Sequence, residues 1–225
     1  MKNFYLYIFV FCLFIIGIIT GGFNAKSYKE YFYSQKNQSF ILLGDSILKN
    51  NDYVSDKKSV EELLLERTDG QTRCFAMDDA TILDVYGQIT NISKDLNTKH
   101  TTIFLSIGGN NILSTFVESF KNNNDKNRLA TIFTEYKELV LHIKTSLPYP
   151  KLVLFDLYYP ANLKYHQYYP IIEEWNQLLY EFIRENHYHS FKISNILTQE
   201  QDFTSDIEPS TIGSQKIVDS IMNTY

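Results

Sequence analysis

Histidine is scarce in this 225-residue chain, with five in all and none after His189, and cysteine is scarcer, with two. Cys12 falls in an apolar N-terminal run and Cys74 stands alone in the remainder, so the globular part has no internal disulfide to make. No cluster of Cys or His has the spacing of a zinc site, and neither a metal nor another cofactor is expected. Basic charge is also short: 21 Lys and Arg against 26 Asp and Glu leave a formal net charge of -5. No basic patch is dense enough to neutralise a row of phosphates, so no nucleic-acid partner is expected. The stretch "KNNNDKNR", around Asn122 to Arg128, reads as a solvated loop. Internal repeats are absent as well. One core is what a chain of this length, 44% hydrophobic and 15% aromatic, can bury.

What the sequence does have begins with an uninterrupted apolar run from Phe4 to Thr20, close to the ~20 residues that span a bilayer. Residues 1–24 therefore read as a secretory signal peptide or as an N-terminal membrane anchor, a hydrophobic helix outside the fold. Thr20 and Gly22 are small enough for cleavage after Gly22, while the length of the run favours the anchor. Residues 25–38 are a polar, aromatic linker, and residues 39–225 form the domain. On this reading the domain is extracytoplasmic, secreted or held at the membrane by a single N-terminal pass.

Beyond the linker, short apolar segments alternate with stretches of helical period, the pattern of βαβ units and a parallel sheet. Strands are predicted at Phe40–Leu43, Arg73–Met77, Thr102–Ser106, Leu152–Phe155 and Phe191–Ile193. Ser59, with Glu62 three residues on, is a capping box that opens the helix "VEELLLER". Leu83, Val85, Ile89 and Ile92 mark a second amphipathic helix and "RLATIFTEYKELVLHIKTSL" a third, closed by Pro148 and Pro150. "PIIEEWNQLLYEFIREN" opens with Pro170 in the first turn, and "PSTIGSQKIVDSIMNTY" ends the chain. The predicted fold class is α/β, a three-layer α/β/α sandwich on a five-stranded parallel, flavodoxin-like sheet. Ligands in such sheets bind at the carboxyl ends of the strands. Gly44-Asp45-Ser46, Asp78-Asp79-Ala80 and Gly108-Gly109-Asn110-Asn111 follow the first three strands, so these loops are expected on one rim.

The same residues carry a resemblance. "GDSI" after the first strand and "SIGGNN" after the third resemble blocks I and III of the SGNH, or GDSL-type, hydrolase family. "AMDDATILDVYGQI" is similar to its second block and "DIEPSTIGSQKI" takes the place of its last, so the likeness runs from about Ser39 to Ile221. It implies a serine esterase acting on a carboxylic ester, a lipid acyl or a carbohydrate O-acetyl group, with Ser46 as nucleophile. The oxyanion hole it implies comes from the Ser46 amide, the residue 79 amide and the Asn110 side chain. Asp45, Gly108, Gly109 and Asp206 would support the pocket.

Three positions depart from that pattern. Asp79 stands where the second block offers a glycine, and Asn111 where the third offers an aspartate. Aligning "EPSTIG" on the family's His-Pro-x-x-x-Gly spacing sets Glu208 in place of the catalytic histidine and Ser205 in place of its aspartate. A carboxylate near pKa ~4.3 is a weaker base than histidine at ~6.5, a loss of roughly 3 kcal/mol in driving force unless burial raises it. Glu208 is thus the provisional base, with Asp206, Asp202 and His166 as the other candidates; its competing role is to cap the last helix. If no base acts, the same rim belongs to an inactive relative that binds a glycan or protein partner.

Overall fold

All five predicted strands form, and they join into one parallel sheet. In the computed structural model, which describes residues 38–116 and 123–225, β1 (Ser39–Gly44) lies inside the sheet beside the central strand β3 (Thr101–Ser106). The order is β2-β1-β3-β4-β5, with β2 at Thr72–Cys74, β4 at Leu152–Phe155 and β5 at His189–Phe191. The chain steps outward from β1 to β2 and then returns across β1 to β3. That reversal leaves a crevice at the carboxyl ends of β1 and β3, where Gly44 is paired with Ser106. The expected signal or anchor and nearly all of the linker lie outside the described residues. Among the described residues no helix is long and apolar enough to cross a membrane.

Alternation along the strands builds the two outer layers. Ile41, Leu43, Ile103, Leu105 and Leu154 face α3 (Ile82–Thr90), α5 (Asn123–Ser146) and α6 (Tyr169–Asn186). Phe40, Leu42, Phe104, Val153 and Phe155 face the other way. They pack against α1 (Ser46–Lys49), α2 (Val60–Arg67) and α7 (Thr211–Thr224). The capping box of α2 is in place, with Ser59 Oγ accepting from Glu62 N at 3.1 Å and Glu62 Oε2 from Ser59 N at 3.3 Å. Between β3 and α5 a short helix, α4 (Gly109–Thr115), carries the residues of the third loop.

The structure departs from the sequence reading in five places. The fifth strand, expected over Phe191–Ile193, lies at His189–Phe191, and Ile193 opens a 3-10 turn. The stretch read as a loop at Asn122–Arg128 is helical from Asn123, because α5 extends its N-terminus through it. The strand expected over Arg73–Met77 stops at Cys74, although Phe75 N and Met77 N still donate to Leu42 O and Gly44 O. Leu83, assigned to the buried face of α3, is 77% exposed, since Ile82, Val85 and Ile89 take the core-facing positions. A two-stranded hairpin, β6 (Phe203–Thr204) against β7 (Glu208–Pro209), was not expected at all.

Candidate active site

Ser46 is placed by the close approach of β1 to β3. Gly44 has φ 122°, and a Cβ there would stand 1.7 Å from Ser106 O, so no side chain fits. Gln88 of α3 grips the same residue, accepting from Gly44 N and donating to Gly44 O, both at 2.8 Å. The chain then turns sharply. Asp45 becomes the N-cap of α1, its Oδ1 accepting from Ile47 N at 3.3 Å and from Ser106 Oγ at 3.1 Å. Ser46 is the first residue of α1, with its side chain on the cavity wall.

Glu208 reaches Ser46 from the far end of the sequence. The Ser46 hydroxyl donates to Glu208 Oε1 at 2.9 Å, and the carboxylate is 7% exposed. The alternative role as a helix cap belongs to Ser210, whose Oγ accepts from Ile212 N and Gly213 N. Burial pushes the Glu208 carboxyl up to about 7, and the charges of Asp78 and Asp79 add to the rise against the lowering effect of the Ser46 donor. Asp45 is likewise pushed up to about 7, first by burial and then by Glu208. Among the described residues Glu208 Oε2 has no hydrogen-bond partner.

The third loop supplies the amide. Gly108 has φ 117° and lies on Trp175, where a Cβ would meet Cζ2 at 2.5 Å; this contact seats the start of α4. Asn110 Nδ2 donates to Ala80 O at 2.9 Å, which occupies one of its two N–H groups, and Asn111 Oδ1 accepts from Ile82 N at 3.0 Å. The two asparagines tie the third loop to the second.

Ser46, Glu208, Asp45, Asn110 and Gly109 line one cleft open to solvent, together with Ser106, Asp156 and Tyr158 among others. A second, apolar cleft adjoins it, sharing Gly109, Leu113, Leu157, Tyr158 and Ile207, and continues past Ile112 and Ile172 to Tyr165 and Tyr168.

Other expected residues lie elsewhere. Asp206 is not in the cavity wall: its exposed carboxylate binds Lys164 Nζ at 2.5 Å and Asn162 Nδ2 at 2.8 Å. Asp79 is exposed at φ 56°, the left-handed conformation that suits the glycine of the family pattern and that Asp tolerates. It too is absent from the wall, and its effect on the site is its charge on Glu208. Asp202 is fully buried, accepting from Thr198 N, Gln199 N and Lys216 Nζ. His166 is exposed against the Tyr169 ring. Of the four candidate bases, only Glu208 touches Ser46.

Sequence reasoning passed over Gln88, Ser106 and Asn50, and took Tyr158 as a core or rim aromatic first and as an acyl- or sugar-contacting wall second; it does line both cavities. A glutamine on the apolar face of α3 was a readable anomaly; Asn50 and the hydroxyl of Tyr158 gave no signal, because their roles depend on tertiary contacts to carbonyls far along the chain.

A serine-bearing loop after β1, an asparagine after β3 and an acid just before the final helix meet at the carboxyl edge of this sheet. The chain has the fold of the SGNH, or GDSL-type, hydrolases. One solved structure of that fold is a member of the lipolytic protein G-D-S-L family from Veillonella parvula. It superposes with a TM-score of 0.65 at 14% identity over 84% of this chain and 98% of that one. Phospholipase A1 from Streptomyces albidoflavus matches at TM-score 0.58 and 13% identity, covering 83% of this chain and 98% of its own. An acetyl-xylooligosaccharide esterase from Geobacillus Stearmophilus, solved as a mutant, matches at TM-score 0.60 and 13% identity over 83% and 93%. At such identities the likeness is one of fold. No family model and no curated protein sequence matches the chain.

Proposed function

We propose that the protein is a serine esterase in which Ser46 is the nucleophile and the Glu208 carboxylate is its base. The observation that carries this reading is the 2.9 Å hydrogen bond from Ser46 Oγ to a Glu208 carboxyl pushed up to about 7. An ordinary carboxylate falls about two pKa units short of histidine as a base, and the burial of Glu208 makes up that difference. Glu208 takes the hydroxyl proton as Oγ bonds to the ester carbonyl carbon. The Ser46 amide and the remaining N–H of Asn110 hold the oxyanion. The protonated Glu208 then gives its proton to the departing alkoxide as the C–O bond breaks, leaving an acyl-serine. Water repeats the sequence with the same base, releasing the carboxylic acid and restoring Ser46.

The adjoining apolar cavity supports an ester with an acyl chain longer than acetyl, the chain running past Leu113 and Leu157 toward Tyr168. The N-terminal apolar run supports action outside the cytoplasm.

A fluorophosphonate probe tests the proposal. Ser46 is expected to be labelled at pH 8, while Ser46→Ala and Glu208→Gln leave it unlabelled and abolish ester hydrolysis. Absence of labelling in the unaltered protein between pH 6 and pH 9 would leave only the inactive, ligand-binding reading.

A further inference from the structure

A histidine base is ordinarily oriented through its second ring nitrogen, but the Glu208 carboxylate has no such support. Its second oxygen, Oε2, is buried without a partner among the described residues. Ser205, at the position of the family's aspartate, is exposed, and its backbone carbonyl accepts from Ile207 N at 3.0 Å. The hairpin that carries Glu208 also turns through Ser205 at φ 45° and Asp206 at φ 73°, two successive non-glycine residues in the left-handed region. A two-residue strand pair with such a turn is a weak platform for a group that must stay within hydrogen-bonding distance of a hydroxyl.

The support is on the backbone. Tyr158 Oη donates to Ile207 O at 2.7 Å, and Asn50 Nδ2 donates to Pro209 O at 3.0 Å, so the carbonyls on either side of Glu208 are each held by a side chain. Both side chains come from loops that also shape the site. Asn50 is the C-cap of α1, four residues after Ser46, and is completely buried. Its Nδ2 also donates to Ser214 Oγ at 2.7 Å in α7, and its Oδ1 accepts from Val60 N at 2.8 Å. Tyr158 follows β4, and its ring lies on the wall shared by the two cavities and against Phe203 of β6. One residue thus ties the base-bearing segment to the nucleophile's helix and the other ties it to the sheet.

Resting on the proposal that Glu208 is the base, we propose that Tyr158 and Asn50 are its positioning residues, clamping the two flanking carbonyls so that the carboxylate stays desolvated and aimed at Ser46. Tyr158 makes the cleaner test, since Phe keeps the ring and removes only the donor. Without that hydroxyl the Ile207 carbonyl loses its partner, the hairpin relaxes outward and water reaches Glu208. Its carboxyl then moves down toward the ordinary range and away from the hydroxyl.

The experiment reads Glu208 directly and its chemistry separately. The Glu208 carboxyl is titrated by ¹³C NMR in protein labelled at glutamate, with Glu208→Gln identifying the resonance. Three carboxylates act on it or are acted on by it, Asp45, Asp78 and Asp79, so they are left unaltered in both proteins. In Tyr158→Phe the midpoint is expected to fall by about one unit. The fluorophosphonate labelling rate at pH 8 is expected to drop roughly tenfold, and with an ester substrate kcat is expected to fall while KM changes less than twofold. An unchanged midpoint overturns the proposal, whether or not the protein hydrolyses esters. A shifted midpoint in a protein that the probe never labels upholds the clamp and removes the esterase. Should the midpoint move with labelling at the unaltered rate, the clamp does not position the base for catalysis and the proposal is lost.

Discussion

At the scale of single residues, the site is built to keep acids protonated. Glu208 and Asp45 both stand at about 7 because burial penalises their charged forms, and each lies near other carboxylates. Two pH dependences of opposite sign result. In the proposed role of base Glu208 would have to be ionised, so kcat/KM is expected to rise as pH rises through about 7 and to level off above it. Stability runs the other way. Between the unfolded value near 4.5 and the folded value near 7, the folded chain holds a proton that the unfolded chain has shed, so stability falls as pH rises across that window. Glu208→Gln keeps an oxygen to accept from Ser46 and removes the charge. At pH 8 it is expected to raise stability by about 1–3 kcal/mol, or roughly 2–4 °C in Tm for each kcal/mol, while abolishing hydrolysis. At pH 4 the gain disappears. Calorimetric scans of both proteins at the two pH values check this, and equal Tm differences at pH 4 and pH 8 would mean that Glu208 is not the group whose charge is strained.

At the scale of elements, the last helix and the loop before it hold Glu208 in place without touching Ser46. Asp202 is fully buried and its Oδ1 accepts from Lys216 Nζ of α7 at 2.6 Å. Its other oxygen accepts two backbone N–H groups, and its carbonyl lies where a Cβ on Gly213 would come within 2.2 Å. Hydrogen bonds from Lys216 and these amides hold the Asp202 carboxyl below its usual range against the opposing effect of burial. A depressed acid contributes stability above its unfolded value near 3.8, and that contribution is lost as pH falls through the folded value. Asp202→Asn is expected to cost about 2–3 kcal/mol at pH 7, because Lys216 keeps some contact with water and is not left wholly stranded. A urea midpoint that drops with an unchanged slope checks the loss, and the pH midpoint of hydrolysis should stay where it is. Much of this layer was legible beforehand. The capping box at Ser59, Pro170 in the first turn of α6 and the strand at Leu152–Phe155 are local patterns, and they form where the sequence puts them. The hairpin around Glu208 was not legible, because its turn uses Ser205 and Asp206 at positive φ where glycine or asparagine would have signalled it. Leu83 misled for a related reason: its spacing to Val85 is two residues, and Ile82 at three takes the buried step.

At the scale of the whole molecule, the sheet order determines which distant residues meet. Residues 46, 110 and 208 converge because β1 and β3 are neighbours and the chain returns after β5 to lay its final hairpin over the same rim. The meeting of 46 and 110 was readable from loops after the first and third strands, while the place of 208 was implied only by the family resemblance. The second cavity was not readable, since its walls bring together α4, the stretch running from β4 into α6, and Ile207, three parts far apart in sequence. Its position gives the proposed ester a direction. With the acyl carbonyl at Ser46, the chain of such an ester would enter past Leu113 and Leu157 and run along Tyr165 and Tyr168. Each methylene that leaves water for such a wall contributes about 0.8 kcal/mol, so kcat/KM for p-nitrophenyl esters should climb roughly three- to fourfold per methylene from acetate until the cavity is full. Leu113 lines both cavities, at their junction. Leu113→Phe narrows that junction and is expected to cut kcat/KM for the octanoate ester at least tenfold while leaving the acetate ester within about twofold, since uniform chain binding is lost and the reacting carbonyl is not displaced. If acetate and octanoate fall together, the substitution has disturbed the oxyanion loop, and if neither changes, the chain does not travel along Leu113 and the apolar cavity belongs to something other than the acyl group.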